Sequence, residues 1–276
     1  MIVLNETECF AQILHAAEMC MERITSKSNK MIKDTRKLIS SSRARAQSGL
    51  FVLEGARLCF DVLNSVYKPE YVLMTDRAYQ RYQAQADKLI QRSRAAYFIS
   101  DELADKLSDT ESAQGIFAVC AMQSNESDIE GRALLALDNV QDPANVGSVI
   151  RTAEALGIDG ILLYNCCDEF NPKTLRTAMG SVLRIKLYHT DNLEDTLTAL
   201  KASYRIYATV PDREAVKITE NDFSAPSICV IGNEANGVEE GIKAMADDLI
   251  TIPMLGNAES LNAGVAAAIT MWEMLR

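Results

Sequence analysis

The chain has 276 residues, 48% of them hydrophobic and 24% charged, with a formal net charge of −10. That composition excludes a disordered or fibrous chain and leaves room for two globular domains, each with its own core. No apolar run is long enough to span a bilayer, and the first twenty residues carry Glu6, Glu8 and Glu18 but no Lys or Arg, unlike a secretory signal. A cytoplasmic protein with no membrane partner is expected.

In chain order, residues 1–25 read as an appendage, helical or without structure, ending at "MERIT". A domain over 26–122 follows. It opens with a basic run: Arg23–Arg45 contains eight basic residues and one acid, Asp34. Lys27, Lys30, Arg36, Lys37, Arg43 and Arg45 are candidate phosphate contacts, because attraction is local and decays over a Debye length of about 8–10 Å. A solvated helix face is the equally ordinary reading of such a run. The charge is uneven along the chain: residues 21–125 sum to +4 and the remainder from Glu126 to −11.

From Leu50 strands and helices alternate. "LFVLEG", "YVLMT", "AAYFIS" and "GIFAVCAM" read as strands, with "ARLCFDVLNSV", "DRAYQRYQAQADKLIQR" and "DELADKLS" as the helices between them. "QSNESDIEGR" (123–132) has linker composition. A second series over 133–276 reads as strand "ALLALD", helix from Val146, strand "GILLY", helix near Lys173–Met179, strand "RIKLYHT", helix "LEDTLTALKA", strands "YRIYATV" and "SICVIG", helix "EEGIKAMA", strand "DLITIPM" and a last helix. Two α/β domains are expected.

Polar loops follow the strands that end near Asp138, Thr209, Ile231 and Ile252, where ligands bind in open α/β sheets. Neither GxGxxG nor GxxxxGK[ST] occurs. Seven cysteines (Cys9, Cys20, Cys59, Cys120, Cys166, Cys167, Cys229) form no CxxC pair, and His15 and His189 are the only histidines. Reduced thiols and no metal site are therefore expected. Asn145, Arg151, Asn233, Glu234, Ser260 and Asn262 are hydrogen-bonding groups without a strong base at neutral pH, an inventory suited to transfer of an already activated group by positioning.

The segments "DNVQDPANVGSVIRTAEALG", "VIGNEANGV" and "IPMLGNAESLNAGVAAAI" resemble, in order, the three signature motifs of the SpoU/TrmH family of RNA ribose 2′-O-methyltransferases, in the SPOUT superfamily. The earlier "SKSNKMIKDTRKL" and "GLFVLEGARL" resemble that family's N-terminal RNA substrate-binding domain. The resemblance implies a C-terminal domain with a deep trefoil knot, S-adenosyl-L-methionine as cofactor, a homodimer packed through the knotted domain, and structured RNA as substrate, ribosomal rather than transfer RNA. Gly232, Asn233, Ile252 and Leu261 would contact the cofactor, with Thr209, Val210 and Met254 lining its pocket. Arg151 would be essential, and a clamp on substrate phosphate suits it better than proton removal, since a guanidinium has no lone pair to offer.

The helix from Val146 would put Arg151 in its second turn. Asn145 would either fix Arg151 or the ribose, or cap that helix. Glu234 would pair with Arg151 or hold the ribose, Asn262 would donate and accept, and Ser260 would cap the last helix. Lys173 and Arg176 would touch RNA phosphate or sit on a solvated face. A base-nitrogen methyltransferase of the same superfamily and a non-catalytic RNA-binding protein are the competing expectations.

Overall fold

A five-stranded sheet organises the first unit of the chain, Met1–Gln123, and a seven-stranded sheet the second, Ser124–Arg276. The computed structural model describes residues 21–110, 113–123 and 128–276. The expected appendage up to residue 20, with Cys9, His15 and Cys20, lies outside the described residues. Among the described residues no helix is long and apolar enough to cross a membrane.

In the first unit the strands are β1 (Arg23–Ile24), β2 (Leu50–Glu54), β3 (Pro69–Met74), β4 (Ala96–Ile99) and β5 (Ile116–Ala121), in the order β1-β4-β3-β5-β2. β4 is parallel to β1 and β3, while β5 runs antiparallel to β3 and β2. The boundary expected after residue 25 is therefore too late. Ile24 is buried beside Ile32 and Leu38, and Arg23 forks onto Asp76 at 2.7 and 2.8 Å, which ties this short edge strand to the sheet.

The helix Lys30–Ser40 starts at Asn29, whose side chain accepts from the Met31 N–H, and buries Ile32, Thr35 and Leu38. Its opposite face exposes Lys30, Lys33, Arg36 and Lys37 within about 120° of arc. Ser41 then caps the helix Ser42–Ser48. Arg43 on that helix is exposed, but Arg45 is not a phosphate contact: it is 2% exposed, and its Nη1 donates to the carbonyls of Leu38 and Ile39 at 2.5 and 3.1 Å. The turn between the two helices leaves those carbonyls without helical partners, and the guanidinium fills that need. Lys27 is also engaged locally, bridging to Glu102 at 2.8 Å. The expected single helix over 76–92 breaks at Tyr82 into Asp76–Arg81 and Gln83–Arg92, and the break lets the Tyr82 ring meet Phe60 edge-on.

The second unit is a wholly parallel sheet of β6 (Ala133–Asp138), β7 (Gly160–Tyr164), β8 (Lys186–Thr190), β9 (Arg205–Thr209), β10 (Val216–Lys217), β11 (Ser227–Ile231) and β12 (Asp248–Thr251), in the order β10-β12-β9-β11-β6-β7-β8. Leu134 to Leu137 are all fully buried, so both faces of the sheet are covered, as a parallel sheet requires. Burying each such leucine contributes roughly 1.5–3 kcal/mol. β10 had no counterpart among the expected strands, being two exposed residues long. The end of the expected linker is docked: the N–H groups of Arg132 and Ala133 donate to Asp159 Oδ2 at 2.7 and 2.9 Å. The linker's residues 124–127 lie outside the described set.

Replacing Arg45 with Ala should lower the stability of the first unit by about 2–3 kcal/mol, the worth of charge-assisted bonds to two otherwise unmet carbonyls. Arg43→Ala should leave it unchanged. Urea unfolding of both variants checks this contrast.

Candidate active site

In the second unit the chain runs outward from β6 through β7 to β8, then returns to β9 on the other side. β6 and β11 are the neighbours at which the order reverses, and the cleft opens beside them, beyond the carboxyl ends of β9, β11 and β12. Register levels the strand ends: Leu137 lies beside Ile231, Ala208 beside Val230, and Thr209 beside Ile250. Four polar loops therefore emerge side by side.

The loop after β6 turns at Asn139, whose φ of +57° is left-handed, a conformation asparagine tolerates. Its N–H donates to the Tyr164 carbonyl at 2.9 Å, and its own carbonyl accepts from Asn233 Nδ2 at 2.7 Å. Asp138 just before it is fully buried and burial raises its pKa, although the Glu239 N–H donates to Oδ2 at 2.7 Å. Asp142 caps the helix Pro143–Leu156 by accepting from the Ala144 N–H, and proline occupies the first turn, where its missing donor costs nothing.

Asn145 is thus not the cap but the third helical residue, 8% exposed, and both ends of its amide are used. Its Nδ2 donates to Glu234 Oε1 at 2.8 Å, and its Oδ1 accepts from Asn262 Nδ2 at 2.9 Å. Asn262 in turn caps the helix Ala263–Leu275, accepting from the N–H groups of Gly264 and Val265. That cap fixes which end of the Asn262 amide faces Asn145. A single relay, Glu234–Asn145–Asn262, joins the loops after β11, β6 and β12. Burial opposes ionisation of Glu234, but the Asn145 amide and the N–H groups of Gln141 and Asp142 outweigh it and hold the carboxyl below its usual range.

Beside the relay lies a cleft of about 370 Å³. Thr209, Val210, Gly232, Asn233, Ile252, Met254 and Leu261 all line it, as do Glu234 and Ser260. A Cβ on Gly232 would stand 2.1 Å from the Gly237 carbonyl carbon and 2.2 Å from the Val238 nitrogen. The tight loop from Asn233 to Gly237, closed by a pair of main-chain hydrogen bonds, therefore folds back against Gly232 beside the cleft.

Three expectations change. Ser260 is exposed and does not cap the last helix, because Asn262 already satisfies its first free N–H groups. Glu234 pairs with Asn145 rather than Arg151. Arg151 is the ninth residue of its helix, in the third turn rather than the second, since the helix starts at Pro143. It is exposed, does not line the cleft, and stands about 9 Å along the axis and roughly 120° around it from Asn145.

Lys173 reaches back to the cap residue Asp142 at 3.1 Å, and Arg176 is exposed. The residues that sequence reasoning missed are Asn139, Gln141, Asn165, Lys243 and Glu259. Gln141 and Asn165 both donate to Asn139 Oδ1, at 2.7 and 3.2 Å, while Lys243 and Glu259 line the cleft. Asn139 and Gln141 stand in the first of the three motifs and Glu259 in the third, whereas Asn165 and Lys243 stand in none. Among the described residues no group of three His, Cys, Asp or Glu gathers as a metal site would need.

Comparison with known proteins bears on the same residues. Residues 132–272 match the model of the SpoU rRNA Methylase family, and residues 29–118 that of the MRM3-like substrate binding domain. The chain is 34% identical over 256 residues to the 23S rRNA (guanosine(2553)-2'-O)-methyltransferase RlmP of Bacillus subtilis, covering 92% of this chain and 99% of that one. It is 26% identical to a 23S rRNA (uridine(2479)-2'-O)-methyltransferase of Streptomyces viridochromogenes, covering 92% of each. Among solved structures, an AdoMet-bound rRNA methyltransferase from Sinorhizobium meliloti superposes with a TM-score of 0.82 at 28% identity, over 92% of this chain and 97% of that one.

Gly232→Ala should destabilise the second unit by about 1–3 kcal/mol, since the new methyl must displace backbone; thermal unfolding measures it. His189 on β8 bonds Glu169 through Nε2 at 2.9 Å, and that hydrogen bond, against partial burial, raises its pKa above 6.5. The stabilisation is complete below pH 6.5 and lost as pH climbs through the raised value. Melting temperature should therefore fall over that window in the native chain, and His189→Gln should flatten the fall.

Proposed function

We propose, for a chain that belongs to the SpoU rRNA methylase family, methylation of a ribose 2′-hydroxyl in structured RNA at the cleft beyond β9, β11 and β12, with ribosomal RNA as the substrate. The observation that carries this reading is the Glu234–Asn145–Asn262 relay, which locks three separate loops around one cleft.

The residues present fit S-adenosylmethionine. The cleft lies within the 300–1,000 Å³ range of small-ligand sites, and one of its walls is a turn whose main chain packs so close to Gly232 that no Cβ fits there. When bound, S-adenosylmethionine supplies a methyl group already activated on a sulfonium. Gly232, Ile252 and Leu261 offer backbone groups to it, and Thr209, Val210 and Met254 offer walls. Asn145 and Asn262 hold Glu234 in one orientation, so its carboxylate stays ionised at the cleft's edge. We infer that this unit carries the trefoil threading of this family.

Arg151 does not take the hydroxyl proton, since its guanidinium has no lone pair at neutral pH. It clamps a substrate phosphate and so aligns the hydroxyl. Its distance from the relay within one chain supports a shared site, in which the Arg151 of one subunit serves the cleft of another. The helix Ala263–Leu275 supports the same homodimer: Val265, Trp272 and Leu275 are 49%, 61% and 43% exposed, an apolar stripe on a helix that packs against Pro143–Leu156.

RNA is gripped chiefly by the first unit. Lys30, Lys33, Arg36, Lys37 and Arg43 form a cationic ridge there, whereas the second unit is acidic overall. Arg45 takes no part in it. Lys173 and Arg176 stand near the Asp142 cap and add contacts beside the cleft.

Mapping ribose methylation in RNA from cells with and without this chain tests the function directly. One lost ribose mark is expected; a lost base mark or no lost mark refutes it. Arg151→Ala should cut turnover by at least about 100-fold and leave affinity for S-adenosylhomocysteine within about twofold. Co-expressed Arg151→Ala and Gly232→Ala subunits should regain activity that neither has alone, because one mixed site keeps both parts. Absence of that recovery rules out the shared arrangement.

A further inference from the structure

Glu234, Glu259 and Lys243 are the charged side chains that line the cleft among the described residues: two carboxylates and one ammonium. Lys243 sits on the short helix Glu240–Met245, with buried Ile242 anchoring it to the sheet. Its stem lines the cleft, its side chain is 24% exposed, and its Nζ lies 2.8 Å from Glu240 Oε1. Glu240 itself is 90% exposed, and a pair of this kind, three residues apart on a wet surface, is worth little. The ammonium can therefore change partner at small cost.

S-adenosylmethionine has the inverse pattern of charge: a sulfonium and an α-ammonium against a single α-carboxylate. Resting on the reading above, we propose that Lys243 is the counterion of the donor's α-carboxylate and so selects for the amino-acid end of the molecule. Glu234 and Glu259 face the two cationic centres, and the cleft neutralises its ligand group by group. The nucleoside end needs no such charge, and is left to the backbone groups of Gly232, Ile252 and Leu261. Lys243 is thus a specificity-determining residue rather than part of the fold: its helix is held by Ile242, and no buried group depends on the ammonium.

Calorimetry on the full chain separates these roles with two probes, S-adenosylhomocysteine and 5′-methylthioadenosine, which is the same thioether nucleoside without the amino acid. Lys243→Ala should weaken S-adenosylhomocysteine binding about tenfold, the worth of one charge-assisted contact, and leave 5′-methylthioadenosine unchanged. Lys243→Arg should keep most of the affinity. Glu240→Gln, which removes the competing carboxylate, should tighten S-adenosylhomocysteine binding. Equal losses for both probes, or no loss for either, would overturn the assignment, as would weaker binding in Glu240→Gln. A native chain that binds neither probe would instead sink the methyltransferase reading on which this rests.

Discussion

A buried asparagine with both ends of its amide spoken for holds the second unit's loops in register. Leaving either end of Asn145 unmet would cost about 1–3 kcal/mol, more beside a carboxylate. The loops after β6, β11 and β12 have few regular hydrogen bonds of their own, so their relative placement depends on such cross-links. Asn145 is well suited to the task because it sits on a helix, and its position is set by the Asp142 cap and the proline that follows. Asn262 extends the same rigidity by capping one helix while donating to another. Asn139 adds a second tie, from the β6 turn to β7 and to the loop after β11.

That rigidity matters for the chemistry. Methyl transfer from a sulfonium demands little proton transfer and much alignment, so catalysis of this kind rests on positioning. The cleft is lined by amides, hydroxyls, main chain and the charged side chains of Glu234, Glu259 and Lys243. Its one relay carboxylate is held below its usual range, against burial, by the Asn145 amide and the main-chain N–H groups of Glu234 itself, Gln141 and Asp142. The levelled register of the parallel strands brings the loops after β9, β11 and β12 to the rim of the cleft.

The two units divide the electrostatic labour. The first concentrates cations on one outer helix face and spends little on covering them with acids, while the second, at −11 from Glu126 onward, repels a phosphate backbone as a whole. An anionic substrate is attracted to that helix face over about a Debye length of 8–10 Å. Arg45 shows the limit of counting charges, for one cation of the run is wholly occupied with helix carbonyls.

Local pattern determined much of this protein. Apolar runs bounded by polar loops located most of the larger strands and the loops at their carboxyl ends, and the second and third motifs contain most of the residues that line the cleft, while the first lies beside it. Tertiary structure decided the rest. Asp142 and Asn145 are both good caps, and which one starts the helix depends on how the chain leaves β6. The partners of Asn145 lie 89 and 117 residues away, too far for any periodicity to report. Arg45 and Lys37 look alike in a charge run, yet one turns inward because a helix junction left carbonyls to satisfy. Secondary structure follows from neighbours a few residues apart, whereas a hydrogen bond between loops exists only once the sheet has brought them together.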